Sequence, residues 1–176
     1  MNDNIKAGAE IHAGDGGYSI GTKEKYDEFV KARKNGMKYF IDTEFNGFGG
    51  KLMSMALVPE DVNAPMFYCE IEVKDQLDPW VAVNVAPHMF QAPVSYSEFQ
   101  FALTRYLLNI EADDITIVAD WPDDIRYFCE ALITGPGERI IMPTKINFVL
   151  DLNIHYTSQV PHNALYDAIA IRDTYK

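Results

Sequence analysis

Three short strand-like runs, followed by alternating helical and strand-like segments, restrict the fold of this 176-residue chain more than any other feature. The runs are rich in apolar, β-branched and aromatic residues, and Gly-rich or Pro-containing turns separate them. They lie at residues 38–44, 52–58 and 66–73. Because consecutive strands joined by short connections usually pair with each other, the runs predict an antiparallel meander.

The second half of the chain alternates between two hydrophobic periods. Apolar residues recur at helical spacing in three segments, and two apolar runs of strand length lie between them. The helices are predicted at 97–108, about 123–133 and about 163–175, and the strands at 115–119 and 146–150. The resulting order, βββαβαβα, predicts an α/β fold in which helices pack on a mixed sheet.

Two other segments complete the division of the chain. Residues 75–94 contain three prolines, so we expect a mostly irregular segment with a short extended piece at 81–85. Residues 22–36 begin at a capping threonine, carry apolar residues at helical spacing and end at a glycine, which predicts a short amphipathic helix. We therefore assign residues 1–37 to an N-terminal arm with this helix, and residues 38–176 to the main domain.

The balance of charges limits the partners of the chain. It carries 26 Asp and Glu residues against 15 Lys and Arg residues, which gives a formal net charge of -11. This charge argues against a broad basic surface that grips long nucleic acids. The charge does not exclude an enzyme that acts on nucleic acids, because metal sites use carboxylates and a single-stranded end needs only a few contacts around the metals.

Cysteine content and hydropathy predict a cytoplasmic protein. Two cysteines, Cys69 and Cys129, cannot form a disulfide framework. The N-terminal stretch lacks the apolar core of a signal peptide, and no segment approaches the roughly 18 uninterrupted apolar residues of a membrane span. We therefore expect no contact with a membrane.

Asp42 and Glu44 form a first acidic pair, directly after the apolar run 39–41. Alternate residues of a strand point to the same face, so the two carboxylates lie side by side where the strand leaves the core. Adjacent, partly buried carboxylates repel each other and lose solvation unless a cation neutralises them. A divalent metal with oxygen ligands would do so. A solvated strand end followed by a loop is the alternative interpretation.

A second acidic cluster follows the predicted strand 115–119 and consists of Asp120, Asp123 and Asp124. Asp is favoured at helix N-caps and in first turns, so capping explains one or two of the three. The carboxyl ends of sheet strands are also where open α/β folds gather their sites. One of these carboxylates is therefore a candidate to face the first pair.

The last predicted helix presents an acid on its apolar side. Asp167 and three apolar residues are spaced so that they lie on one face of the helix. Asp167 therefore belongs to the stripe that packs on the sheet. Those residues are Ala164, Ala168 and Ile171. The two alanines allow a close approach that brings the carboxylate toward the first acidic pair. His162 precedes this helix, and its position makes it a candidate general base.

These three elements resemble the motifs of the DEDDh 3′–5′ exonucleases, a family with a ribonuclease-H-like fold. The family's first motif, Asp-x-Glu at the end of the first strand, resembles residues 42–44, and its third, His-x-Ala-x-x-Asp-Ala, matches residues 162–168. Its second motif, Asn-x-x-Phe-Asp at a helix start, aligns with residues 120–124, where this sequence has Asp at both the Asn and the Phe positions. The segment WVAVNVAPH at 80–88 is most similar to the small bacterial and phage exoribonucleases.

The resemblance implies a hydrolysis that depends on two Mg²⁺ or Mn²⁺ ions. Asp42 would bridge the ions. Glu44 and Asp167 would complete the ligands of one ion, and Asp124 would bind the other. Asp124 is favoured over Asp120 and Asp123 because a helix with the family's apolar pattern follows it. His162 would act as the general base that removes a proton from the attacking water.

The resemblance also implies the substrate. Thr43 and Phe45 would lie near the terminal nucleotide, where an aromatic ring can stack on any base; core packing explains Phe45 equally well. Single-stranded RNA or DNA would be cut from its 3′ end to release nucleoside 5′-monophosphates, with RNA favoured. Two alternatives stand beside this function. One is another metal-dependent nuclease or nucleotide phosphohydrolase, and the other is a catalytically silent RNA-binding module. The sequence also allows a homodimer.

Overall fold

The computed structural model describes residues 36–140 and 145–175. Apart from its last residue, Gly36, the helix predicted at 22–36 lies outside the described residues, as does nearly all of the arm predicted at 1–37, so neither prediction is tested. Among the residues that are described, no helix is both long enough and apolar enough to cross a membrane.

The described part of the chain contains seven strands and four α-helices. The strands are β1 (Met37–Phe45), β2 (Leu52–Pro59), β3 (Phe67–Glu70), β4 (Asp114–Ala119), β5 (Ile133–Gly135), β6 (Glu138–Arg139) and β7 (Lys145–Leu150). The helices are α1 (Pro79–Asn84), α2 (Tyr96–Leu108), α3 (Pro122–Ala131) and α4 (Ala164–Thr174), and a 3₁₀ turn (Ala86–His88) follows α1.

Five of the strands form one mixed sheet in the order β3-β2-β1-β4-β7. The first three strands pair antiparallel, which confirms the predicted meander. The β1–β4 and β4–β7 pairs are parallel, as expected where helices connect the strands. The α/β class and the mixed sheet are therefore confirmed. In this order β1 is the central strand, and its carboxyl end lies beside that of β4.

The alternation of side chains along β1 divides the core into two faces. Ile41 packs on one side with Phe99 of α2 and Phe128 of α3. Phe40 points to the other side and packs with Ile171 of α4. Asp42 has the same parity as Phe40, so it follows this residue onto the face that α4 covers.

Small residues hold α4 close to the sheet. Ala164 and Ala168 of α4 are fully buried against Ala56 and Val58 of β2. Because none of the four carries a long side chain, the helix backbone approaches the strands closely, as the sequence pattern predicts. This approach brings the first turn of α4 over the end of β1.

The prediction for residues 75–94 is wrong in part, because α1 and the 3₁₀ turn replace the extended piece expected at 81–85. Pro79 does not break structure here; it occupies the first turn of α1, where a missing N–H costs nothing. Asp78 caps the helix, and its Oδ1 accepts hydrogen bonds from the backbone N–H groups of Trp80 (2.8 Å) and Val81 (3.4 Å).

A short hairpin was also not predicted. The helix expected at about 123–133 ends at Ala131, and β5 and β6 follow it as a two-stranded sheet. Gly137 lies in the turn between them with φ +76°, a backbone conformation that glycine adopts without strain. The strands are too short to show an alternating hydrophobic pattern, so no periodicity could reveal them.

Candidate metal centre

The end of β1 presents the first two carboxylates of the site. Asp42 is buried and Glu44 is partly exposed, and both point to the face covered by α4. Their partners in the antiparallel register with β2 are Ala56 and Ser54. Both partners have small side chains, which leaves room for the carboxylates beside them.

Helix α4 adds Asp167 to this pair. Asn163 caps the helix, and the buried Asp167 lies in its first turn. Its Oδ2 accepts a hydrogen bond of 3.0 Å from the backbone N–H of His162, while its Oδ1 is buried without a hydrogen-bond partner. One carboxylate oxygen each from Asp42, Glu44 and Asp167 lies within 4.8 Å of the others. The three residues form a first group of candidate ligands.

The junction between β4 and α3 supplies a second group. Asp120 directly follows β4, and Asp124 lies in the first turn of α3. Oxygens of Asp42, Asp120 and Asp124 lie within 4.8 Å of one another. Oδ1 of Asp124 accepts a 2.7 Å hydrogen bond from the hydroxyl of Thr43, whereas Oδ2 of Asp124 and Oδ1 of Asp120 are buried without partners. Asp42 is therefore shared by the two groups.

Burial raises the pKa of all five carboxylic acids. Burial, and then the charges of the other carboxylates, raise the pKa of Asp42 well above its usual range. Burial and the charges of Asp167 and Asp124 raise the pKa of Glu44 to about 8, and burial raises that of Asp124 to about 8. The pKa values of Asp120 and Asp167 are also raised, chiefly by burial. In the absence of a cation, the cluster therefore retains protons near neutral pH.

The donor set fits a hard divalent cation. Among the residues that the structure describes, no lysine or arginine forms an ion pair with any of the five carboxylates. Three of their oxygens are buried without a hydrogen bond. Burying an unpaired polar atom destabilises the fold unless an ion binds to it. Carboxylate oxygens are the ligands that Mg²⁺ and Mn²⁺ prefer. These carboxylates could therefore hold a metal.

The structure brings together Asp42, Glu44, Asp124 and Asp167, the four carboxylates expected to act as ligands. It adds Asp120, which the sequence left as an alternative to Asp124; both residues lie in the cluster. Asp123, the third alternative, lies outside both groups. Its carboxylate instead accepts hydrogen bonds from Arg126 (2.7 Å) and from the indole of Trp121 (3.3 Å).

His162 lies beside the carboxylates and belongs to neither described group of candidate ligands. It is exposed and has φ +64°, a left-handed conformation that is unusual for a residue with a side chain. Its ring meets the ring of Trp80 edge-on, with the two centroids 5.0 Å apart. The imidazole thus lies at the rim of the site, exposed to solvent.

An aromatic cleft of about 330 Å³ opens from Glu44. Besides acidic and aliphatic residues, four rings line it: Phe45, Phe48, Trp80 and Trp121. Phe45 packs on Tyr127, with the ring centroids 5.0 Å apart, whereas Phe48 is fully exposed. Sequence analysis singled out only Phe45, because Trp80 lay in a segment expected to be irregular and single exposed aromatics carry no pattern.

Two further residues have positions that the sequence did not reveal. Thr43, predicted near the substrate, does not line the cleft; it is buried on the opposite face of β1 and supports Asp124. Tyr156 packs against Phe40 and Ile171 on the α4 face. Burial and the charges of the cluster, with Asp42 first, raise its pKa. Tyr156 therefore lies close enough to the carboxylate cluster for its charges to act on the phenol.

No protein-family model matches this sequence, and no curated protein matches it. The likeness to the DEDDh exonucleases therefore rests on the three short motifs and on the positions that their residues occupy in the fold.

Proposed function

We propose that this chain is a metal-dependent 3′–5′ exonuclease that releases nucleoside 5′-monophosphates from single-stranded nucleic acid, with RNA as the favoured substrate. One observation carries the proposal: two groups of mostly buried carboxylates share Asp42, with His162 at their rim. A carboxylate shared by two ions would hold them close together, and two-metal hydrolysis of a phosphodiester uses ions about 3.5–4 Å apart.

The fold is compatible with this proposal. A sheet with order β3-β2-β1-β4-β7, in which the first three strands are antiparallel and the next two pairs are parallel, is compatible with a ribonuclease-H-like domain. The residues that resemble the three motifs of the DEDDh family support the proposal through their positions. They lie at the end of the central strand, at a strand-to-helix junction and in the first turn of the last helix.

Each carboxylate would have a defined part. Asp42 would contact both ions, Glu44 and Asp167 would complete one set of ligands, and Asp120 and Asp124 the other. Bound Mg²⁺ or Mn²⁺ supplies Lewis-acid stabilisation of the charge that develops on the phosphodiester. Thr43 orients Asp124: Oδ1 of Asp124 accepts a hydrogen bond from the Thr43 hydroxyl, and Oδ2 remains free for an ion.

His162 would accept the proton of the attacking water. Its ring lies against Trp80, and its backbone N–H is bonded to Asp167, so the imidazole remains next to the ligands without being one of them. A general base in such a position typically contributes about 10²- to 10⁴-fold to the rate.

The aromatic cleft would hold the terminal nucleotides. Flat rings accept any base by stacking, which suits an enzyme that removes successive nucleotides regardless of sequence. Glu44 belongs both to the cleft and to the carboxylate cluster, so a base in the cleft would place its phosphate near the ions. The net charge of -11 favours a grip on one chain end over a grip on a long duplex.

A nucleotide phosphohydrolase is the second candidate, and the dimensions of the cleft favour it. A cleft of about 330 Å³ lies at the lower end of the range for small-molecule sites, so one nucleotide alone could occupy it. Release of inorganic phosphate from nucleoside triphosphates or monophosphates would identify this activity, because an exonuclease leaves those phosphates in place.

The test uses single-stranded RNA and DNA labelled at the 5′ end, each incubated with Mg²⁺, Mn²⁺ or EDTA. We expect a ladder with steps of one nucleotide, metal dependence, and loss of the ladder in the Asp42→Asn and Asp167→Asn variants. Asp173→Asn is the matched control, because Asp173 lies on the same helix but is exposed and pairs with Arg172. Substrate that is bound but stays intact would identify a binding module instead.

A further inference from the structure

Buried Glu70, at the end of β3, anchors a hydrogen-bond network outside the metal centre. The residue is only 2% exposed, and its Oε1 accepts three hydrogen bonds. They come from the hydroxyl of Tyr68 (2.6 Å) and from the backbone N–H groups of Phe90 (2.7 Å) and Gln91 (3.0 Å). Glu70 thereby ties the segment that follows α1 and the 3₁₀ turn to the edge of the sheet.

Tyr68 extends the network to α4. Its hydroxyl accepts a 3.1 Å hydrogen bond from Nδ2 of Asn163, and the same amide donates a 2.8 Å hydrogen bond to the carbonyl of His88. Oδ1 of Asn163 accepts the backbone N–H groups of Leu165 and Tyr166, which caps the helix. Because both ends of the amide are used, its orientation and that of the Tyr68 hydroxyl are determined.

The network holds both of the elements that contact His162. Asn163 is the next residue in the chain, so its side-chain bonds restrain the backbone of His162 in its left-handed conformation. Trp80, whose ring touches the imidazole, lies on α1, and the segment after α1 is bonded to Glu70 and Asn163. The backbone and the ring of His162 are therefore restrained through the same three side chains.

We infer that Glu70, Tyr68 and Asn163 are positioning residues that fix the imidazole of His162 relative to the carboxylates. This inference rests on the proposed function, in which His162 is the general base. None of the three residues belongs to a described group of candidate ligands or lines the cleft, so they act through His162 and not on an ion or a base.

Tyr68→Phe and Asn163→Ser test the inference from two sides. The first variant keeps the ring and removes the hydroxyl; the second keeps a good helix cap and removes the amide donor. Tyr106→Phe is the matched control, because its hydroxyl donates a hydrogen bond to the carbonyl of Pro65, but its ring packs on the other face of the sheet against Tyr39.

Steady-state cleavage of labelled RNA and titration with Mn²⁺ separate positioning from general loss of structure. For both test variants we expect kcat to fall about 10- to 100-fold, while KM stays at its wild-type value and Mn²⁺ affinity falls much less than kcat. The Tyr106→Phe control should keep the wild-type kcat, KM and Mn²⁺ affinity. Wild-type kcat in a folded Tyr68→Phe variant, or a loss of Mn²⁺ binding in parallel with kcat, would overturn the inference.

Hydrogen exchange gives a readout that does not depend on activity. The backbone N–H of His162 donates to Asp167, so its exchange reports whether this turn keeps its conformation. We expect faster exchange at His162 in Tyr68→Phe and Asn163→Ser, and unchanged exchange in Tyr106→Phe. If the wild type cleaves nothing, the proposed function fails; unchanged exchange in both test variants would refute the positioning network itself.

Discussion

The hydroxyl of Thr43 donates a 2.7 Å hydrogen bond to Oδ1 of Asp124, a residue 81 positions further along the chain. Thr43 lies on β1 and Asp124 in the first turn of α3, so this bond connects the central strand to the second group of carboxylates. It occupies one oxygen of Asp124 and leaves the other without a partner. The strand that supplies Asp42 therefore also sets the orientation of Asp124.

Thr43→Val should weaken metal binding without unfolding the protein. Valine has nearly the same shape but cannot donate, so Asp124 loses the contact that orients it. Loss of such a supporting hydrogen bond typically costs about 10- to 100-fold in metal affinity or activity. Calorimetric titration with Mn²⁺ measures the effect. Thr104→Val, which removes a hydroxyl bonded to a helix carbonyl in α2, is the control. Equal Mn²⁺ affinity in both variants would show that Thr43 has no part in the site.

Stability without metal should fall as the pH rises. The pKa values of Glu44 and Asp124 are raised to about 8 in the folded protein, against about 4 in the unfolded chain. The folded state therefore binds more protons between these values, and the free energy of unfolding decreases with pH across this range. The stabilisation is fully present below about pH 4 and is lost above about pH 8.

Thermal unfolding in EDTA measures this dependence. The other ionisable groups of the chain contribute as well, so the decisive quantity is the difference between the wild type and Glu44→Gln, which cannot lose the proton. We expect a smaller decline with pH in the variant. Saturating Mn²⁺ should reverse the wild-type trend, because the ion binds the deprotonated carboxylates. A wild-type protein that gains stability with pH relative to Glu44→Gln in EDTA would contradict the burial of these acids.

Phe48→Ala should weaken substrate binding and leave the chemical step unchanged. Phe48 is fully exposed at the turn after β1, lines the cleft and is not one of the candidate ligands. Stacking of a base on an aromatic ring is worth about 1–3 kcal/mol, so KM for a short RNA should rise while kcat is retained. Phe101→Ala, on the exposed face of α2, is the control. An unchanged KM would exclude Phe48 from the nucleotide site.

His162→Ala should separate binding from chemistry. Because the imidazole belongs to neither group of candidate ligands, we expect Mn²⁺ affinity to be retained while hydrolysis slows by about 10²- to 10⁴-fold. His155→Ala, which removes an exposed histidine from the loop before α4, should leave both quantities unchanged. A loss of Mn²⁺ binding as severe as that in Asp42→Asn would make His162 a ligand and not a base.

Local periodicity predicted most of the fold and much of the candidate site. The period of two along β1 placed Asp42 and Glu44 on one face, and the period of a helix placed Asp167 on the packed side of α4. Periodicity could not identify the ligands at the junction after β4, because helix capping and metal binding both favour Asp there. Only the fold separates Asp120 and Asp124, which face Asp42, from Asp123, which pairs with Arg126.

The remaining features depend on contacts between distant parts of the chain. Pro79 was interpreted as a breaker, although proline also starts helices, so α1 and the position of Trp80 were not foreseen. The bond between Thr43 and Asp124 joins residues with no local relationship in sequence. Hydrogen bonds across such distances follow from the arrangement of the sheet and its helices, and no window of sequence contains them.

The proposed metal centre around Asp42 is tested most directly by diffraction at the manganese absorption edge from crystals soaked in Mn²⁺. We expect two anomalous peaks about 3.5–4 Å apart, both in contact with Asp42, one beside Glu44 and Asp167 and the other beside Asp120 and Asp124. The same soak of Asp42→Asn crystals should leave both positions weak or empty. Wild-type crystals without anomalous density among these carboxylates, at Mn²⁺ concentrations that support cleavage, would contradict the assignment.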